Sequence, residues 1–284
     1  MRNFGLNLTK EKAEQSNADW KFGSIPSCLA FIPEEQRFDY LPKGELQKGV
    51  EDFMDCASRG PLNILETKFT YLIRNKKLSF QNEMWLKEMG YTTNNGVEFS
   101  DAFVAINSGT TREGNSLKAP LEAIRKQGLI PKSLLPAKLD MTWEVYHNPE
   151  RITSFMQKLG MEFTQRFYIN YEKVYEKDYT KLLRQDMLDV AGFAWPEPID
   201  EEYPRVDMTP NHCFVAIKNA AYFIFDNYID QTDGDWIKKL ASDYSLLSYG
   251  YRLSINQKAI TPQKPFNLSQ WFKGVINSLK SLFI

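Results

Sequence analysis

Apolar positions along the chain follow two different periods. Over the first two-thirds they recur at helical spacing, and over the last third they form short strand-like runs. "PLNILETKFTYLIRN" puts Leu62, Leu65, Phe69 and Leu72 on one helical face. "SLKAPLEAIRKQGLIP" does the same with Leu121, Ala123 and Ile124, and Gly128 is placed to end it. "NPERITSFMQKLG" predicts a helix capped by Asn148, with Pro149 in its first turn and Gly160 as its stop. "EKDYTKLLRQDML" predicts another, followed by a strand-like "DVAGFAW"; "FSDAFVAIN" fits either a helix capped by Ser100 or a short strand. Residues 1–45 are polar and loop-like, with short apolar pieces such as "SCLAFIP".

Beyond Pro210 the runs "HCFVAIKN", "AYFIFDNY" and "YGYRLSI" are aromatic-rich and β-branched, and the first two are spaced to pair as a hairpin through "KNAA". Helices first and a mostly antiparallel sheet afterwards predict an α+β protein rather than a doubly wound sheet. Two prolines after Ile255 mark a linker. Residues 267–284 then read as an amphipathic helix with Leu268, Trp271, Phe272, Val275, Ile276, Leu279 and Phe283 on one side. Such a helix packs back on its own domain, docks on an assembly partner or lies on a membrane surface.

Composition narrows the function classes. A net charge of -1 gives no basic surface for nucleic acid. No run approaches the roughly 18 apolar residues of a membrane span, and the first residues lack the apolar core of a signal peptide. The expected location is therefore cytoplasmic, or a virion assembled there. The three cysteines, Cys28, Cys56 and Cys213, show no metal-binding spacing and cannot all pair. Neither a metal nor a cofactor is expected.

Chemistry gathers around few residues. His212 is one of two histidines, and the hairpin lays it opposite Asp226 and Asn227, either of which can orient an imidazole. Which of the two faces the ring is not fixed by alternation. Cys213, next to His212 on a strand, points to the opposite face and reads as a small hydrophobe. His147, before the Asn148 cap, reads as a surface histidine. Cys56 lies where a loop gives way to a helix, a place that lowers a thiol pKa. Glu51, Asp52 and Asp55 crowd it with negative charge, which raises that pKa unless they point away. Pro61 is expected to kink or delay the helix.

The order Cys56, then His212, then Asn227 resembles the papain-like cysteine peptidases, a superfamily in which this chain reads as a divergent member. Glu66 in "ILET" stands where the catalytic helix of those enzymes commonly carries a glutamate. "ADWKFGSI" is similar to their "DWR", "FSDAFVAIN" to "LSEQELVDC", and "REGNSLKAPLEAIRKQGLIPKSLLPA" to "GCNGG…A…Y…GI…YPY" in order and spacing. "LLRQDMLDVAGFAW" takes the place of the helix and strand before the histidine. The resemblance covers about Asp19 to Ile255.

It implies an α+β, papain-like domain over residues 19–256, between an N-terminal extension (1–18) and the linker and helix (257–284). A helical lobe at about 46–140 would carry the nucleophile, and a β-sheet lobe at about 180–256, with an N-terminal segment, would carry histidine and asparagine. It implies Cys56 as nucleophile, His212 as base and Asn227 as orienting residue, with Asp226 as the alternative third member. A glutamine would complete the oxyanion hole. Its usual place is held by Val50, so Gln47 takes the role across a loop three residues longer. Gly114, Asn115, Ser116 and Asn211 would line the substrate groove, although Ser116 and Leu117 replace the usual glycine pair. No tryptophan follows Asn227, which leaves Tyr228 to shield the orienting bond. No inhibitory pro-segment is expected ahead of the domain.

The implied activity is hydrolysis of peptide or isopeptide bonds in a protein or peptide substrate through a thioester. The alternatives are a structural or binding module of the same fold, as in a phage or other virus particle, and acyl transfer or deamidation on the same triad.

Overall fold

The computed structural model describes residues 5–16, 19–25, 29–44, 46–196, 198–218, 222–228 and 236–258. The C-terminal amphipathic segment, 267–284, lies outside them. Helix α1 (Leu8–Glu14) comes first, capped by Asn7, whose side chain accepts from the Lys10 amide at 2.9 Å. Then follow α2 (Cys56–Arg74), α3 (Phe80–Glu88), the ribbon of β1 (Thr92–Thr93) and β2 (Gly96–Val97), and α4 (Asp101–Asn107). The helical half ends with α5 (Lys118–Gln127), α6 (Trp143–Tyr146) and α7 (Ser154–Arg166).

The second half is a sheet of β3 (Phe167–Tyr175), β4 (Leu188–Gly192), β5 (His212–Lys218), β6 (Tyr222–Phe225), β7 (Ile237–Leu240) and β8 (Tyr249–Gln257). A short α8 (Tyr179–Leu183) links β3 to β4. The sheet order is β3-β8-β4-β5-β6-β7, and every pairing is antiparallel. The architecture is α+β, helices before sheet, as the change of hydrophobic period predicts.

Helix α2 is the spine. Every residue from Cys56 to Leu72 is buried, with α4 and α5 on one side and β5 on the other. A helix enclosed all round must satisfy its polar side chains internally. Glu66 accepts from the Phe99 amide at 2.7 Å, and Thr70 Oγ1 accepts from the Val97 amide at 2.9 Å. Lys68 pairs with Asp186 and donates to the Leu253 carbonyl at 2.5 Å. Breaking such a buried pair by removing one partner costs about 3–5 kcal/mol.

Pro61 does not delay the helix, which runs unbroken through it from Cys56 to Arg74. Packing of this length outweighs the ~3 kcal/mol that an interior proline costs.

Two other expectations change. Gly160 does not stop its helix: Thr153 caps α7, which runs on to Arg166, while Asn148 caps only a 3-10 turn. The glycine serves packing, because a Cβ at Gly160 would meet the Gln127 carbonyl at 2.4 Å where α5 ends against α7. Strand β3, unassigned in the sequence reading, follows α7 directly. Phe167 and Ile169 turn inward and Tyr168 outward, a strand alternation hidden by the helical pattern beside it. Ser100 does cap a helix, accepting from the Phe103 amide at 3.2 Å, and Gly128 ends α5 at φ 75°. Among the described residues, no helix is long and apolar enough to cross a membrane.

Candidate active site

Cys56 is the first residue of α2, so its thiol sits at the positive end of the helix dipole. The chain reaches it through Met54, a non-glycine residue at φ 56°, whose amide is anchored on Asp52 Oδ1 at 2.9 Å. The start of β5 abuts this helix end. Cys213 contributes a hydrogen bond to the Cys56 sulfur there and the His212 charge acts on it, so Cys213 is not the bystander that alternation suggested. Both cysteines are buried, and no disulfide joins them.

His212 Nε2 meets Asp226 Oδ1 at 2.6 Å, with both side chains fully buried. That bond occupies Nε2 and leaves Nδ1 as the ring nitrogen for the thiol. Asp226 thus stands where the resemblance put Asn227, whose carboxamide oxygen instead accepts from Asn63 Nδ2 at 3.0 Å. Strand β6 ends at Phe225, so strict alternation no longer governs the next two residues.

The second oxygen of Asp226 accepts from Trp195 Nε1 at 2.8 Å and pairs with Lys238 Nζ at 3.2 Å. Trp195 lies edge-on to the imidazole, with centroids 5.7 Å apart, and Tyr228 packs on it at 5.3 Å. Two rings therefore shield the orienting bond.

The three acids before the helix are each engaged elsewhere. Asp55 accepts from Arg59 Nε at 2.8 Å and Tyr146 OH at 2.5 Å. Glu51 accepts from the Trp143 amide at 2.8 Å. Asp52 accepts from Met54, Gln47 and the Tyr228 hydroxyl. His147, expected at the surface, is buried with Nε2 2.7 Å from the Phe53 carbonyl, where it braces the same loop.

Electrostatics follow from these contacts. Burial pushes the Cys56 thiol up, but the Cys213 hydrogen bond and the His212 charge outweigh it, and the thiol is lowered to about 6. Burial alone would lower His212; the charges of Asp226 and then Cys56 overcome it and raise the imidazole to about 10. Burial also opposes ionisation of Asp226, yet His212 and Lys238 hold it below its ordinary value. A lowered thiol and a raised imidazole favour the thiolate–imidazolium form between those two values. Beneath it, burial and the Cys56 charge push the Asp189 carboxyl on β4 well up, which disfavours its charged form.

Gln47 is fully buried between the two halves of the site. Its amide donates to the Asn227 carbonyl at 3.2 Å, its carbonyl accepts from Phe53 at 3.1 Å, and its Nε2 donates to Asp52 at 3.2 Å.

The predicted groove residues are brought together around the chain's own N-terminal segment. The Asn115 amide donates to the Gly5 carbonyl at 2.9 Å, and the Asn115 carbonyl accepts from Asn7 at 2.7 Å. Leu6 donates to the Asn211 carbonyl at 3.4 Å. Leu6 runs parallel to Asn115, and a Cβ on Gly114 would meet the Gly5 carbonyl oxygen at 2.0 Å. Ser116 instead turns to Glu14 and caps toward Ala119. Residues 5–7 of the N-terminal extension therefore lie against the residues expected to line the groove. Helix α1 locks them there, because buried Glu11 accepts from the Leu117 amide at 2.7 Å and Tyr249 OH at 2.8 Å.

Three contributors escaped the sequence reading: Trp195, Lys238 and the bonding role of Cys213. Lys238 left one signal, since "IKKL" puts it on the same strand face as Leu240, an apolar face. No group of three or more His, Cys, Asp or Glu among the described residues is placed to hold a metal ion.

No family model matches the sequence, and no curated relative matches it. Solved structures do match. A structure from work on the mite allergens Blo t 1 and Der p 1 is 12% identical, over 88% of this chain and 78% of that one, at a TM-score of 0.51. The ragweed pollen cysteine protease Amb a 11, in its proform, is 11% identical over 92% and 76%, at 0.50. Procathepsin B from Trypanosoma congolense is 7% identical over 91% and 87%, at 0.53. At such identities the likeness is one of fold. What this chain shares with them is the arrangement of helices and antiparallel sheet: it has the fold of the papain-like cysteine proteases.

Proposed function

We propose that the chain is a thiol peptidase acting through Cys56, His212 and Asp226. The observation that carries this reading is the placement of His212, with Asp226 on one ring nitrogen and the Cys56 thiol within hydrogen-bond reach of the ring. Cys56 Sγ attacks the scissile carbonyl carbon as the thiolate. The tetrahedral oxyanion is met by the Cys56 backbone N–H, which has no partner inside the helix because it belongs to the first turn. Gln47 Nε2 supplies the second donor when it leaves Asp52.

His212 passes its proton to the leaving amine, which yields a thioester, then takes one from water, which releases the acid and the thiol. Asp226 keeps the imidazole in place and favours its charged form. Peptide and isopeptide amides present the same carbonyl to Cys56, and the thioester partitions between water and an amine acceptor; product analysis separates hydrolysis from transfer.

Cys56 and His212 are at most 1% exposed, and residues 5–7 cover the groove edges, so substrate must displace that segment. The test is hydrolysis of a library of internally quenched peptides. Wild-type protein cleaves members of the library and Cys56→Ala does not; equal rates for the two would refute the reading.

A further inference from the structure

We infer that Lys238 is a positioning residue of the thiol site, whose ammonium balances the charge of a buried quartet with Cys56, His212 and Asp226. This rests on the thiol-site reading above and deepens it. Lys238 has a side chain 1% exposed, with Nζ 3.2 Å from Asp226 Oδ2. It also donates to the Tyr228 carbonyl and lies 5.7 Å over the Trp195 ring. A lysine so enclosed is held by partners of opposite charge rather than by water.

The charge count gives the reason. A thiolate, an imidazolium and a carboxylate sum to -1, and the Lys238 ammonium brings the quartet to zero. The other groups facing the thiol leave that count alone. Cys213 on β5 and Asp189 on β4 are both pushed well up by burial, which disfavours a charge on either. The phenol of Tyr228 is raised and donates to Asp52, a carboxylate at the half-buried rim already bonded to Met54. An uncompensated charge in a dry site is relieved by taking up a proton, and the acceptor nearest neutrality is the Cys56 thiolate. An asparagine in the third position would leave a neutral thiolate–imidazolium pair needing no cation. Asp226 with Lys238 is the charge-equivalent arrangement.

The experiment is the pH dependence of Cys56 alkylation by iodoacetamide in the full chain, read by mass spectrometry, with circular dichroism as the fold check. Wild type should show a midpoint near 6. Lys238→Met should raise it by about one unit or more, while Lys238→Arg keeps it low. The double variant Asp226→Asn with Lys238→Met should return to within about half a unit of wild type, because the charge is again balanced.

An unchanged midpoint in Lys238→Met, or a double variant shifted further than the single one, would overturn the inference. If Lys238→Met fails to fold, a folded double variant with a low midpoint still supports charge balance, and failure of both assigns Lys238 a structural role instead. A wild-type midpoint at the ordinary thiol value of about 8.5 sinks the thiol-site reading itself, whatever Lys238 does.

Discussion

His212 Nε2 and Asp226 Oδ1 are 2.6 Å apart with both side chains shut off from solvent. A charge-assisted bond this short fixes the imidazole's orientation. Asp226→Ala is expected to lower kcat/KM by ~100-fold or more, the scale on which positioned acid–base catalysis contributes. Asn227→Ala, which removes the Asn63 contact, should cost less than about 10-fold by the same measure. Steady-state kinetics on one peptide substrate ranks the two, and the reverse ranking would restore Asn227 as the orienting residue.

The pH profile has two limbs. The Cys56 value is lowered, so the thiolate is present above about 6 and lost as pH falls through it. The His212 value is raised, so the imidazolium is present below about 10 and lost as pH rises through it. Hydrolysis needs both, which predicts a bell with a plateau between those limbs. A profile rising only above pH 8 would mean that the helix end and imidazolium do not activate the thiol.

Segment 5–7 makes a prediction of its own. Leu6 is buried and donates to the carbonyl of Asn211, a residue expected to line the groove. Leu6→Asp should loosen the segment, raise kcat/KM for a peptide substrate several-fold and lower the melting temperature. Its parallel course beside Asn115 should also leave the Gly5–Leu6–Asn7 bonds uncut in N-terminal analysis. Unchanged kinetics in the variant would show that the segment does not compete with substrate.

Gly60 lies in α2 over Asp189. Alanine in a helix ordinarily gains about 0.5–1 kcal/mol over glycine. Here an added Cβ would come within 2.3 Å of Asp189 Oδ1, and overpacking costs about 1–3 kcal/mol. The clash is the larger effect, so Gly60→Ala should be destabilising by urea unfolding, with Asp189→Ser recovering part of the loss.

What could be read from the chain alone was local. Gly128 and the Leu62–Leu72 stripe announce their elements through termination and spacing, and the structure places them so, while the Ser100 segment left helix and strand both open until Ser100 proved a helix cap. Gly160 misled because a glycine needed for close helix crossing looks the same as a terminator. The third member of the site could not be settled, since Asp226 and Asn227 follow the end of β6, where no periodicity assigns a face. Lys238 and residues 5–7 act through contacts with distant segments: a strand face meeting Asp226, and a parallel bridge to Asn115. Such contacts leave little trace in the order of residues.

The central claim is that Cys56 is a nucleophile activated by His212. Its most direct test is covalent capture by E-64, followed by peptide mapping of the modified chain in wild type and in His212→Ala. The account predicts one adduct per chain, on Cys56, and its loss in His212→Ala. An adduct on Cys213 instead, equal labelling of both proteins, or no adduct even in the Leu6→Asp variant would contradict it.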